Sequence, residues 1–360
     1  MGKNNLTPSQ LTAFFLASMV APALINLSAL FFAAMGRGSW IGILAISVAS
    51  LFLLLLFYAI IKKAGFPSVH MVWQELLGNR LGKAVCFLLS LYLLFLATIV
   101  LRSFIYAINV YYLPHTPMVI VAALLILPPI AIAYFGARSM GHASQFIYFF
   151  ILIFFAFLII AKKNYQVSSI FPLLEADPQI IVKNLLPLCF TSCTLFGCFY
   201  LFPLTTNRKR IPHSIFAYSV IGVFVLLASY CIGLAYFGDI FSKMSLPFYH
   251  IDTTHKGRIL ERLDILYMMI VLPLFGLYLS FWFSQLIESQ RQIFPTFAEQ
   301  HNGWITVIWA LAVVVLSVYP SLNHGIWPIY SMSNIINLIV AGILSISYLI
   351  YILKRRRKFS

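Results

Sequence analysis

The sequence predicts an all-α integral membrane protein with ten transmembrane helices, and two observations carry that prediction. Runs such as Ile41–Ile61, Ala84–Leu101 and Phe146–Ala161 hold no charge, and similar runs recur about ten times. Uncharged stretches of this length read as membrane-spanning helices. Across the 360 residues, 62% are hydrophobic and 9% are charged, with a mean hydropathy of +0.95, a balance foreign to water-soluble domains. Lipid offers the backbone no hydrogen bonds, so only helices or closed barrels span it. Barrel strands alternate polar and apolar over roughly ten residues. The runs here are continuous and longer, which selects helices.

The spans fall near residues 9–34, 39–61, 84–112, 117–135, 143–161, 185–206, 212–237, 263–286, 303–319 and 329–353. Before the first, Lys3 is the one early cation, and no small-residue cleavage site follows a short apolar core. The first span is therefore expected to stay in the mature chain. Gly65-Phe66-Pro67 closes the second span, and Val69–Leu77 reads as a short amphipathic helix leading to the third. Phe171-Pro172-Leu173-Leu174-Glu175-Ala176-Asp177-Pro178 is an extended turn before the sixth, because proline at both ends disfavours one continuous helix. Arg258-Ile259-Leu260-Glu261-Arg262-Leu263-Asp264 opens the eighth, and Lys354–Lys358 trails the tenth as a membrane-surface anchor. The longest connections, 162–184 and 238–262, hold only short elements. The whole chain, 1–360, is thus one transmembrane domain.

Ten spans put both termini on one side. If that side is the inside, Lys3, Lys62, Lys63, Arg80, Lys83, Arg138, Arg208, Lys209, Arg210, Arg291 and the five tail cations gather there. Fifteen of the 24 cations then lie inside and eight outside, with Arg102 within a span. The bias predicts an N-in, C-in multi-pass protein. It also accounts for the net charge of +15 as cations facing anionic lipid, so no nucleic-acid partner is expected.

Interrupted spans can hold a solute, because a break frees backbone amides and carbonyls. The first span carries Ala21-Pro22-Ala23, then Asn26 and Ser28; Pro22 removes a donor and clashes with the preceding turn. The sixth carries Pro187, Thr191-Ser192-Cys193-Thr194, Phe196, Gly197 and Pro203. Ten spans divide as five plus five, and these two occupy equivalent positions in repeats of about 9–161 and 185–353. That is the pattern of inverted-repeat transporters with discontinuous first helices. The alternative is that both prolines are simple kinks and the hydroxyls bond back to their own helices.

The ligand-binding candidates are accordingly Pro22, Ala23, Asn26, Ser28, Thr191, Ser192, Thr194, Phe196 and Gly197. Arg102 joins them if the third span tilts, since an intramembrane cation is costly and usually functional. It sits about 27 Å along a helix begun at Ala84, so snorkelling to the outer interface is its other reading. Glu261 and Asp264 share a helix face at the positive end of the eighth span. They form either ordinary N-terminal charge placement or an acidic gate or partner-facing pair.

Little in the chain suggests catalysis or metal. The five cysteines, Cys86, Cys189, Cys193, Cys198 and Cys231, all lie in spans, with no Cys-x-x-Cys and no metal-ligand spacing with histidine. The eight histidines are scattered over loops and span ends. No His-Glu-x-x-His, Gly-x-Ser-x-Gly or Gly-rich phosphate loop appears. The expectation is a non-enzyme without cofactor or metal.

The order of motifs resembles the B-subunit, or spore permease, family of bacterial spore-germination receptors, within the amino acid–polyamine–organocation superfamily. The matching text is Leu6-Thr7-Pro8-Ser9-Gln10-Leu11 before the first span and Glu75-Leu-Leu-Gly-Asn-Arg-Leu-Gly82-Lys83 before the third. Phe171-Pro172-Leu173-Leu174 follows, then Phe196-Gly197 with Phe202-Pro203 in the sixth, and Glu261-Arg262-Leu263-Asp264 opening the eighth. The resemblance covers essentially the whole chain. It implies a ten-helix LeuT-like fold, a place in the spore inner membrane of an endospore-forming bacterium, and sensing of a small germinant, usually an amino acid. It also implies an A-type membrane subunit and a C-type lipoprotein as partners. A working amino-acid transporter is the alternative function. Two departures stand out. Relatives tend to have a glycine-rich first break where this chain has Ala21-Pro22-Ala23. Relatives often carry an acid near the second break, and here none lies between Asp177 and Asp239. The second departure implies a less cationic ligand or no ion coupling.

Overall fold

The computed structural model describes residues 6–23, 27–160, 166–170, 178–189, 194–244, 247–248, 250, 263–319 and 327–359. Within them the chain is helical. Helix α1 spans Pro8–Pro22. Its start is set by a reciprocal cap: the Thr7 hydroxyl accepts from the Gln10 amide at 3.3 Å, and the Gln10 side chain accepts from the Thr7 amide at 2.9 Å. Pro8 takes the first helical position, where no donor is missed. Helix α2 spans Ser28–Met35. Ala23 and Leu27 on either side of the intervening residues keep helical torsions.

Helix α3 spans Ser39–Ala64 and stops at Gly65, whose φ of 87° is the left-handed conformation that closes a helix. Helix α4 spans Val69–Tyr111, capped by the Ser68 hydroxyl. At Gly78 (φ 81°, ψ 171°) it turns out of helical geometry. The short amphipathic helix and the third span are therefore joined by one non-helical glycine, closer than the sequence suggested. Then come α5 (Met118–Phe135), α6 (Ala137–Ser144), α7 (Ile147–Ile160), α8 (Pro178–Cys189), α9 (Thr194–Leu204) and α10 (Ile211–Phe237). The last three are α11 (Leu263–Ile293), α12 (Pro295–Val318) and α13 (Trp327–Phe359).

Among the described residues seven helices are long and apolar enough to cross a membrane, and Leu195–Leu204 and Gly303–Val318 are shorter apolar helices. Outward faces carry Val48, Phe52, Leu88 and Leu152, each at least 65% exposed. Such side chains suit lipid and not water. Helix α11 is the centre of the bundle: 78% of its apolar window is buried, against 28–44% in the other six. It packs on α1, α4, α5 and α12. Lipid tails are as apolar as leucine, so close packing and buried polar bonds hold such a bundle together.

The two ends differ in charge. Helices α3 and α10 run in opposite directions between them. At one end Tyr58 donates to the Arg208 carbonyl at 3.1 Å, Arg355 to the Ala64 carbonyl at 3.4 Å and Lys354 to the Glu75 carbonyl at 2.6 Å. Arg208 lies over the Phe66 ring. Leu6 pairs there with Leu204 and Thr206 through backbone bonds of 2.9 Å, so the N-terminal segment and α13 share this basic end. At the other end Arg37 and Asp239 form an ion pair at 3.0 Å, and Tyr230 donates to the Arg37 carbonyl at 2.9 Å.

Candidate functional site

Pro22 and Ala23 close α1 and are buried. Ser28 opens α2, fully buried, and its hydroxyl has no hydrogen-bond partner among the described residues. A hydroxyl in that state is unusual inside a folded protein. Asn26, Thr191 and Ser192 lie outside the described residues. Thr194 begins α9, where only its backbone is described. Phe196 and Gly197 follow within the first turn of α9.

Phe196 is 1% exposed and is the hub of an aromatic cluster. Its ring centroid lies 6.2 Å from Tyr92 of α4, 5.6 Å from Trp282 of α11 and 5.7 Å from Tyr200. Gly197 is where α9 meets α11 closely: a Cβ there would stand 2.6 Å from the Phe281 ring. Phe281 in turn lies 4.9 Å from Phe14 of α1. Phe14 of α1 and the start of α9 thus both pack on Phe281 of α11.

Beside this cluster the structure adds polar residues that the sequence reading passed over. Tyr92 donates to the Asn337 side-chain oxygen at 2.9 Å and faces the Ser333 carbonyl at 3.4 Å. Trp282 is fully buried, and its indole N–H has no partner among the described residues. A narrow cavity, with about 10 Å³ of free space, is lined by Leu96, Ile99, Val100, Tyr278, Trp282, Ser333, Asn334 and Asn337. A signal was present in Ser333-Asn334-Ile335-Ile336-Asn337, whose amides recur at i and i+3 within an apolar span. Such a site has aromatic walls and a few convergent donors and acceptors. Its free space is that of about one water molecule.

Arg102 sits apart from the cluster. Its guanidinium donates to the Ser317 carbonyl, in the last turn of α12, at 3.2 Å. That places a cation where the helix dipole is negative. Asp264 lies in the first turn of α11, with its side chain outside the description, and Glu261 is outside it altogether. Cys86, Cys198 and Cys231 are free thiols. Among the described residues no group of three His, Cys, Asp or Glu is placed to hold a metal.

The family model described as "Spore germination protein" matches residues 5–324. The chain belongs to the spore permease family of spore germination proteins. Spore germination protein KB of Bacillus subtilis (strain 168) is 22% identical over 300 residues, covering 81% of this chain and 79% of that protein. Among solved structures, MhsT in complex with L-phenylalanine superposes with a TM-score of 0.55 at 11% identity. That match covers 95% of this chain and 89% of MhsT. At that identity the likeness concerns the fold alone. The chain is therefore a multi-pass membrane protein of the spore germination family, with a LeuT-like fold like that of MhsT.

Proposed function

We propose that this protein is the germinant-sensing subunit of a spore germination receptor, and that its ligand is a small amino acid. The observation that carries the reading is the meeting of Phe196 and Gly197 with Tyr92, Trp282 and Phe281 beside a buried polar cluster, in a transporter fold of the germination family. We read the architecture as ten spans in a five-plus-five inverted repeat. The pairs α1/α2 and α8/α9 form its discontinuous first and sixth helices. Freed amides near Pro22, Ala23 and Asn26, with the hydroxyls of Ser28, Thr191, Ser192 and Thr194, hold the zwitterion. Phe196 and α4 supply the apolar wall. The unpartnered Ser28 hydroxyl supports this, because a ligand would satisfy it. MhsT is titled as a complex with L-phenylalanine, which is compatible with an amino acid in such a fold.

A ligand shifts a conformational equilibrium only through different affinities for two states. We take that shift to pass from this protein to another subunit. We place an A-type membrane subunit and a C-type lipoprotein in that role, in the spore inner membrane, with both termini inside. Sharing of one basic end by the N-terminal segment and α13 supports this orientation.

A thermal-shift screen of the purified protein against amino acids, sugars and nucleosides identifies the ligand, since a ligand of the native state alone raises the midpoint. Asn26→Leu and Thr191→Val are each expected to abolish that shift with membrane insertion intact; an unchanged shift in both removes this site. The transporter fold also supports a second reading, a working amino-acid transporter. Robust uptake of labelled amino acid by proteoliposomes holding only this protein selects the transporter, and binding without uptake selects the receptor.

A further inference from the structure

Two clefts at the basic end of the bundle lie away from the Phe196 cluster's polar side, and they share one edge. The larger, about 460 Å³ with its open mouth, lies between the start of α4, α9 and the end of α11; Ser68, His70, Tyr200, Gln285, Glu288 and Gln292 supply its polar lining. The smaller, about 330 Å³, lies between α5, α6 and α11, and Ser284, Gln285, Glu288 and Arg291 supply its polar lining. Leu204, Gln285 and Glu288 belong to both. Glu288 is thus a carboxylate set at the junction of two recesses, on the most buried of the seven long apolar helices among the described residues.

The groups around it are short of partners. Gln285 is 4% exposed, and no described residue hydrogen-bonds its amide. The Tyr200 hydroxyl, in the larger cleft, and the Ser284 hydroxyl, in the smaller, are buried with no partner among the described residues. Buried polar groups in folded proteins are nearly always satisfied, so these two hydroxyls, one in each cleft beside the shared Gln285 and Glu288, mark a place built for something else to bond. By contrast, His70 is already committed: its Nε2–H donates to the Ser289 carbonyl at 3.1 Å and ties α4 to α11.

All three unpartnered side chains can accept hydrogen bonds, and Glu288 adds negative charge. Glu288 accepts from Gln292 at 3.0 Å, and its contact with Arg291 is long, 3.6 Å. Arg291 also donates to the Ala133 carbonyl at 3.3 Å, on the far wall of the smaller cleft. A cation entering between them can take over the carboxylate while Arg291 keeps that carbonyl. Apart from their open mouths, the clefts hold about 50 Å³ of free space in the larger and about 20 Å³ in the smaller, room for a cation of only a few heavy atoms. Phe199, Pro203 and Leu89 give the larger cleft an apolar wall suited to an alkyl group.

From this geometry we infer that the joined clefts form a second binding site, open to the basic end, for a small primary alkylammonium. Its N–H groups bond Glu288, Gln285 and the Tyr200 hydroxyl, and its alkyl part lies against Phe199 and Pro203. This site is independent of the amino-acid site proposed above.

The test is a titration of the purified full-length protein with ethylammonium chloride, read by thermal shift and calorimetry at constant ionic strength. Tetramethylammonium chloride has the same charge and no N–H donor, and sodium chloride controls for screening. A saturable rise with ethylammonium alone is expected. Tyr200→Phe removes a hydroxyl that no described residue bonds, so it should leave the fold intact. It should raise the half-saturating concentration several-fold, as should Gln285→Leu, and Glu288→Gln should abolish saturation. Thr191→Val should leave the titration unchanged. Equal responses to all three salts, or the wild-type titration in both Tyr200→Phe and Gln285→Leu, would overturn the assignment.

Discussion

At the residue scale, the site depends on two contacts that the sequence does not announce. Gly197 lets α9 approach α11, because Phe281 stands where its Cβ would be. Phe281 cannot retreat: it is fully buried and lies 4.9 Å from both Phe14 and Trp282. Gly197→Ala is therefore expected to destabilise by about 1–3 kcal/mol through overpacking. The readout is a lower thermal midpoint together with a weakened ligand shift, and an unaltered midpoint would remove the close-approach role. Tyr92→Phe deletes the bond to Asn337 and strands a buried amide oxygen, at a cost on the order of 1 kcal/mol. Its loss should be smaller in an Asn337→Leu background, where no amide is left unpaired. Equal losses in the two backgrounds would show that the bond does not couple the helices.

At the scale of the element, α4 is two helices joined at Gly78. That residue has φ 81° and ψ 171°, a conformation almost confined to glycine, and its missing Cβ would meet nothing within 4 Å. The cost of Gly78→Ala is then purely torsional, about 1–3 kcal/mol. Gly342, helical and equally uncrowded, is the control: alanine there should be neutral or stabilise by up to about 1 kcal/mol. A pair of unfolding midpoints checks both, and equal shifts would sink the assignment. The same break explains why the sequence placed the third span at residue 84 while the helix starts at Val69. Hydropathy registers where apolar text begins. A helix begins where a cap and the backbone torsions allow, here at Ser68.

For the whole molecule, the predictions concern sidedness and assembly. Cysteines placed at residues 64 and 356 on a Cys-free background should be shielded from an impermeant thiol reagent applied outside, and one at 256 should label. Labelling at 356 with protection at 256 reverses the orientation. Neutralising Glu261 and Asp264 together is expected to abolish germination while ligand binding persists, and the wild type should co-purify with a larger membrane subunit. Normal germination, or lost binding, returns the acidic pair to helix capping or pocket architecture.

The sequence by itself determined that this is a helical membrane protein, where its apolar segments lie, and which family it belongs to. Uncharged length, cation placement and motif order are properties of the chain read in one dimension. It also pointed to Phe196 and Gly197, because polar and small residues crowd the sixth span. Only the tertiary structure decided which helices meet there. Trp282, Tyr92 and Asn337 come from three distant segments; the spans of Trp282 and Tyr92 read as ordinary apolar helices, and only the amides of Asn334 and Asn337 mark theirs. Glu288 went unremarked for the same reason, since a lone acid beside an arginine on one helix looks like a surface pair. It becomes a candidate only when α4, α5 and α9 fold around it and leave the Tyr200 and Ser284 hydroxyls without partners among the described residues. Arg102 shows the reverse. A cation within an apolar run invites a functional reading, yet its bond to the Ser317 carbonyl depends on where α12 ends. Periodicity fixes which residues a helix can present, and rotation and docking against neighbours fix what each one touches.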